Sequence, residues 1–238
     1  MIVLALSTST PIASVALVDA DRVLGEIAHG DPRGHAERLF DLVDQALAAA
    51  GRARADIRMV ACDVGPGSFT GVRIAVASAK GIAEGLGVPL CGVVSLEAMA
   101  AEARASCAPG VLVAAAIDAK KDELYVAVYD GENAVLPPSH VPRAEAGERV
   151  LAAVAGRPFV SIADLEDIAA FAPSAERALV APPSAAWVGR LAAARRTALE
   201  GGAGAFDPAE VAPLYVRAPD AIPTMFGPAP AFDMLPPR

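Results

Sequence analysis

The chain opens with three short strand-like runs, Ile2–Leu6, Ala13–Val18 and Arg22–Ala28, parted by the polar turns Ser7–Pro11 and Asp19–Asp21. Short runs with tight polar turns predict an antiparallel meander. The period then changes. From His35 to Ala50 the apolar positions are Leu39, Leu42, Val43, Ala46, Leu47 and Ala50, which is helical spacing, and Gly51 is a natural stop. Met59–Val64 reads as a buried strand, 65–71 as a glycine-rich loop, and Val72–Leu86 as a second helix closed by Gly87 and Pro89. A strand at Leu90–Val94 and a helix from Ser95 to about Cys107 complete a βββαβαβα unit. A second unit starts with the runs Val111–Ile117 and Leu124–Tyr129 around a charged turn, 118–123. Beyond it, Phe159–Ala163 reads as a strand and Ala185–Leu199 as a helix. A meander followed by alternating strands and helices predicts an α/β fold of mixed sheets with flanking helices. Two hairpin-led units predict two lobes, 1–108 and 109–221, with a Pro/Ala-rich tail at 222–238.

Composition sharpens this picture. The 238 residues are 54% hydrophobic and 20% charged, a globular balance with material for a large core. A net charge of −8 argues against autonomous binding to a phosphate backbone. The three cysteines, Cys62, Cys91 and Cys107, form no CxxC pair and read as reduced, the first two as small core residues. The opening MIVLALST lacks the basic start of a signal peptide, and no apolar run is long enough to span a bilayer, so a cytoplasmic location is expected.

Candidate chemistry is sparse. The loop Gly65-Pro66-Gly67-Ser68-Phe69-Thr70-Gly71 lies between a strand and a helix, where backbone amides can face an anion. Val72-Arg73 follows its last glycine, so it is no P-loop, and its spacing is not GxGxxG. A tight turn that lets helix and strand pack closely is the reading its spacing favours. The turn Ser7–Thr10 could wrap a phosphate with its hydroxyls, or those hydroxyls could cap their own backbone. His35 is followed at i+4 by Leu39, so a helical metal-binding pair is absent, and neither a metal nor another cofactor is expected. Ser68 is not in a nucleophile elbow. Asp118, Asp122 and Glu123 stand beside Lys120 and Lys121 as acid/base candidates or as a solvated turn. The second helix is apolar or small nearly all round, with Val72, Ala75, Val76, Ala79 and Ala83 forming one stripe. Such a helix is buried on more than one side, by its own lobe or by a partner helix.

Four stretches together resemble the bacterial TsaB (YeaZ) family of tRNA threonylcarbamoyladenosine biosynthesis proteins. They are Leu4–Thr10 with Ser14–Leu17, Gly65–Ile74, Ile117–Lys120 with Glu123–Tyr125, and Pro213–Arg217. The resemblance implies a two-lobe actin/heat-shock ATPase-like (ribonuclease H-like) fold and a subunit that is not itself an enzyme. It implies a heterodimer with a catalytic TsaD-type subunit that carries the metal and nucleotide sites, joined by a TsaE-type ATPase. That assembly transfers threonylcarbamoyl from its adenylate to an anticodon-loop adenosine, so tRNA is met only through the complex. Partner contact is expected through the first two helices, with His35, Arg38, Leu39, Leu42, Arg73, Val76, Ala79 and Lys80 as interface residues and a homodimer as the same face's self-association. A charge at Val76 is then expected to weaken the complex and spare the fold. Ser7 departs from the family, which has Asp at the end of the first strand. A kinase of the same fold, or a peptidase acting on the catalytic partner, is the alternative.

Overall fold

In the computed structural model the chain is described for residues 1–30, 35–165, 171–198 and 206–217; the Pro/Ala-rich tail expected at 222–238 lies outside them. The first sheet contains β1 (Ile2–Ser7), β2 (Ala13–Asp19), β3 (Arg22–His29), β4 (Ile57–Asp63) and β5 (Leu90–Val93), in the order β3-β2-β1-β4-β5. The second contains β6 (Leu112–Lys120), β7 (Glu123–Asp130), β8 (Asn133–Pro142), β9 (Phe159–Ala163) and β10 (Ala178–Val180), in the order β10-β9-β6-β7-β8. Reversed, the second order is the first one repeated. Each sheet starts with an antiparallel meander, and two parallel strands then add to the free side of its first strand. The two-lobe α/β architecture expected from the sequence is present, as a duplicated topology.

Strands buried on both faces read as unbroken apolar runs, and β1 and β6 are such strands. Leu4, Leu6, Val15, Leu17, Val60 and Cys62 point to one side of the first sheet, where they meet α1 (His35–Ala50) and α2 (Phe69–Leu86). Val3, Ala5, Ala16, Val18, Met59 and Ala61 point to the other side and meet α5 (Ala185–Ala198). In the second sheet, α3 (Ser95–Arg104) covers the face of Val113, Ala115 and Ile117, and α4 (Arg143–Val154) covers that of Leu112, Ala114 and Ala116.

The helices are exchanged between the two chain segments. α3 precedes residue 108 yet covers the second sheet, and α5 comes after it yet covers the first. The two exchanged helices pack on each other between the sheets. Arg195 of α5 grips Glu97 of α3 through both carboxylate oxygens at 2.6 Å and donates to the Gly92 carbonyl at 2.9 Å. One guanidinium nitrogen spans both carboxylate oxygens and the other is held by the Gly92 carbonyl, so the charge-assisted contact fixes the direction of the side chain as well as its distance. The lobes are therefore locked at their shared layer, and α1 and α2 are left as the outer layer of the first lobe.

Candidate partner-binding site

The outer layer is set by how α2 begins. The Ser68 Oγ accepts the Gly71 amide at 3.2 Å as N-cap, and α2 starts at Phe69, three residues earlier than the apolar stripe suggests. The glycine loop packs directly on the β1–β2 turn. A Cβ on Gly67 would stand 2.3 Å from the Ser9 carbonyl oxygen, and one on Gly71 only 1.9 Å from that of Thr8. The Ser68 amide donates to the Ser9 carbonyl at 2.6 Å, and the Thr8 hydroxyl to the Gly71 carbonyl at 2.6 Å. The loop is thus the close-packing turn favoured by its spacing: its glycines admit the neighbouring hairpin.

Behind this junction lies a residue whose role the residue pattern did not reveal. Asp63 ends β4 and is completely buried. Its Oδ2 accepts from the Ser7 hydroxyl at 2.9 Å, the Ser9 amide at 3.3 Å and the Ser95 hydroxyl at 3.4 Å; its Oδ1 accepts from the Thr8 amide at 3.3 Å. Burial pushes its carboxyl above the ordinary value, and the Ser7 hydroxyl with the Thr8 and Ser9 amides pulls it back only part of the way. The Ser7 hydroxyl also lies 3.1 Å from the Pro183 carbonyl, and the Ser14 hydroxyl accepts the Ala185 amide at 2.9 Å, so the start of α5 joins the same cluster. The available signal was a lone Asp inside the apolar run Met59–Val64, next to the glycine loop.

The α1/α2 surface differs from the expected set of contacts. Leu39, Leu42, Val76 and Ala79 are at most 5% exposed and belong to the core between these helices and the first sheet. As apolar stripes facing their own sheet, they are the part of each helix a partner cannot reach. A charge at Val76 would therefore break the lobe, which corrects the expectation that it would spare the fold. The outward positions of α1 include Glu37, Arg38, Phe40, Asp41, Asp44, Gln45 and Ala48, and those of α2 include Phe69, Thr70, Arg73, Ala77, Gly81, Glu84 and Leu86. Phe40 and Phe69 are 54% and 57% exposed, unusual for their size. His35 opens α1, and Arg38 lies on its exposed face.

Arg73 and Lys80 face a different neighbour. The Arg73 guanidinium sits 3.7 Å from the Phe69 ring centroid and donates to the Tyr215 hydroxyl at 2.8 Å, while Lys80 donates to the Ala209 carbonyl at 3.1 Å. The segment 209–217 runs alongside α2: the Leu214 amide donates to the Val64 carbonyl at 2.7 Å, and Arg217 reaches the Ala119 carbonyl and Glu123 of the second lobe. The closing motif Pro213–Arg217 thus straps the first lobe to the second hairpin.

Other candidates are dispersed. Asp118 pairs with Lys120 at 2.7 Å, and Asp122 with Arg143 at 3.2 Å, on an open turn. A cavity of about 860 Å³ opens on the far side of the first sheet, lined by Ala101, Arg104, Trp187, Arg190 and Leu191 among others. Among the described residues no cluster of His, Cys, Asp or Glu has the arrangement of a metal site, and no helix is long and apolar enough to cross a membrane.

Comparison with known proteins bears on this surface. Residues 23–136 match the family model described as TsaD: tRNA N6-adenosine threonylcarbamoyltransferase. An uncharacterised protein of Mycobacterium tuberculosis is 37% identical over 93% of this chain and 94% of its own. The tRNA threonylcarbamoyladenosine biosynthesis protein TsaB of Escherichia coli is 42% identical over 54% of this chain and 55% of that protein. The solved structure of YeaZ from Pseudomonas aeruginosa superposes with a TM-score of 0.71 at 29% identity, over 90% of this chain and 99% of that one. The residues matched by the family model include the glycine loop and α2, the Escherichia coli TsaB shares 42% identity, and the likeness to YeaZ covers 90% of this chain; the chain belongs to the TsaB/YeaZ family.

Proposed function

We propose that this chain is the partner-binding, activating subunit of a tRNA threonylcarbamoyladenosine assembly, presenting α1 and α2 to a TsaD-type catalytic subunit. The observation that carries the reading is the composition of the α1/α2 outer face. Both helices fill their lobe's core with one stripe, and the opposite stripe offers Phe40, Ala48, Phe69, Ala77 and Gly81 to the outside. Small residues let a second pair of helices approach closely, and the two phenylalanines supply the large apolar area that anchors an interface. The similarity of 23–136, which contains both helices, to the threonylcarbamoyltransferase model supports the same partner, since related lobes can pair through equivalent faces. On this reading the chain carries out no chemistry itself, a TsaE-type ATPase joins the pair, tRNA is reached only through the complex, and the assembly is cytoplasmic. Without its partner, the same face serves as a homodimer contact.

The test is reconstitution. Threonylcarbamoyl transfer to tRNA is measured with the catalytic subunit alone, this chain alone, and both. Transfer only with both supports the reading, and undiminished transfer by the catalytic subunit alone sinks it.

A further inference from the structure

We propose that Asp63 is the resident ligand of an anion-binding nest in the β1–β2 turn, and that its carboxylate closes the first lobe to an external phosphate. Three consecutive residues, from the last of β1 into that turn, converge on it: the Ser7 hydroxyl and the amides of Thr8 and Ser9, with the Ser95 hydroxyl from the start of α3 as a fourth donor. Successive backbone amides aimed at one point form a nest for a negatively charged oxygen group, the arrangement that elsewhere cradles phosphates. Here the group comes from the neighbouring strand. β1 and β4 pair in parallel with Leu6 opposite Cys62, which sets the ends Ser7 and Asp63 side by side. The glycine loop seals the other side, because Gly67 and Gly71 bring it against the Ser9 and Thr8 carbonyls with no room for a Cβ. An external phosphate would have to displace a fully buried carboxylate and part the loop from the hairpin.

This arrangement has a position requirement. One carboxylate satisfies the donors, and it could reach them from the end of either strand, since the two ends are adjacent. Two carboxylates would repel each other in a site without water, and none would leave buried amides unpaired. The inference concerns the first lobe alone and holds or fails independently of the partner assigned above.

The experiment is a double-mutant cycle monitored by urea denaturation of the full chain. Ser7→Asp and Asp63→Ser should each lower the denaturation midpoint, and the double variant Ser7→Asp/Asp63→Ser should recover more than half of the combined loss. Additive losses, a double variant that does not fold, or single variants as stable as the parent would overturn the proposal. Orthophosphate provides the second readout: it should raise the melting temperature of Asp63→Gly and leave that of the parent unchanged. An equal rise in both, or none in a folded Asp63→Gly, would also overturn it. If Asp63→Gly does not fold, the cycle decides.

Discussion

Two turns occupy the same place in the two repeated sheets and have opposite chemistry. The β1–β2 turn, 8–12, starts with residues buried to within 3%, packed on a glycine loop and hydrogen-bonded to Asp63. The β6–β7 turn lies in the open, with the Lys120 and Asp122 side chains 72% and 81% exposed and salt bridges on its rim. Its backbone differs too: Lys120, Lys121 and Asp122 all have left-handed φ angles, of 64°, 54° and 60°. Positive φ at both central residues suits the twist of a tight hairpin but strains side chains other than glycine. One topology thus serves once as a sealed foundation for α2 and once as an exposed, charged tip. The difference comes from the neighbour each tip meets. In the first lobe it is a glycine loop that can approach to contact distance. In the second it is the start of α4, where Arg143 reaches the carboxylate of Asp122 and donates its amide to the Asp122 carbonyl at 2.9 Å.

The contrast is broken most forcefully at Gly71. Gly71→Ala places a methyl against the Thr8 carbonyl and should cost about 3 kcal/mol or more, measured by urea denaturation. Next comes Asp63→Asn, which leaves one acceptor where the carboxylate had two and should cost about 1–3 kcal/mol. Its pH dependence has a defined sign. Asp63 holds its proton to higher pH in the folded chain than in the unfolded one. The stability it contributes is therefore complete below the ordinary carboxylate range and lost as pH rises through the raised value. The parent's advantage over Asp63→Asn should shrink across that window; an advantage that grows with pH would mean that the donors outweigh burial and favour the ionised form. The smallest effect belongs to the exposed turn. Lys121→Gly relieves a left-handed residue and should stabilise the protein by about 1 kcal/mol, or change little, as judged by the same denaturation midpoint.

Much of the first lobe was legible because its signals are local. The expected α1 stripe of Leu39, Leu42, Val43, Ala46 and Leu47 is buried, with Ala50 at its end half-buried, and so is the α2 stripe of Val72, Ala75, Val76, Ala79 and Ala83. Cys62 and Cys91 are core residues, as their apolar surroundings indicated. β8 was not expected from the sequence; it holds Pro137 and Pro138 at the sheet edge, where the register against β7 shifts and fewer ladder hydrogen bonds are needed. α4 was overlooked although Ala146, Val150 and Val154 have helical spacing and line its buried face. The helix exchange left no trace in periodicity, since α3 and α5 look the same whichever sheet they cover. The face a helix presents outward is likewise invisible when both its sides are apolar. For that reason Val76 read as an interface anchor, although Ala77 is the neighbour that points away from the sheet.

Ala77 on α2 and Phe40 on α1, both facing outward, put the partner assignment to the test. The chain, mixed with its TsaD-type subunit, is run on size-exclusion chromatography with light scattering as the parent, as Ala77→Arg and as Phe40→Glu, with circular dichroism on each chain alone. A one-to-one complex is expected for the parent and separate elution for both variants, with unchanged folding. Full complex formation by both variants, or a parent that never joins the catalytic subunit, would contradict the partner assignment.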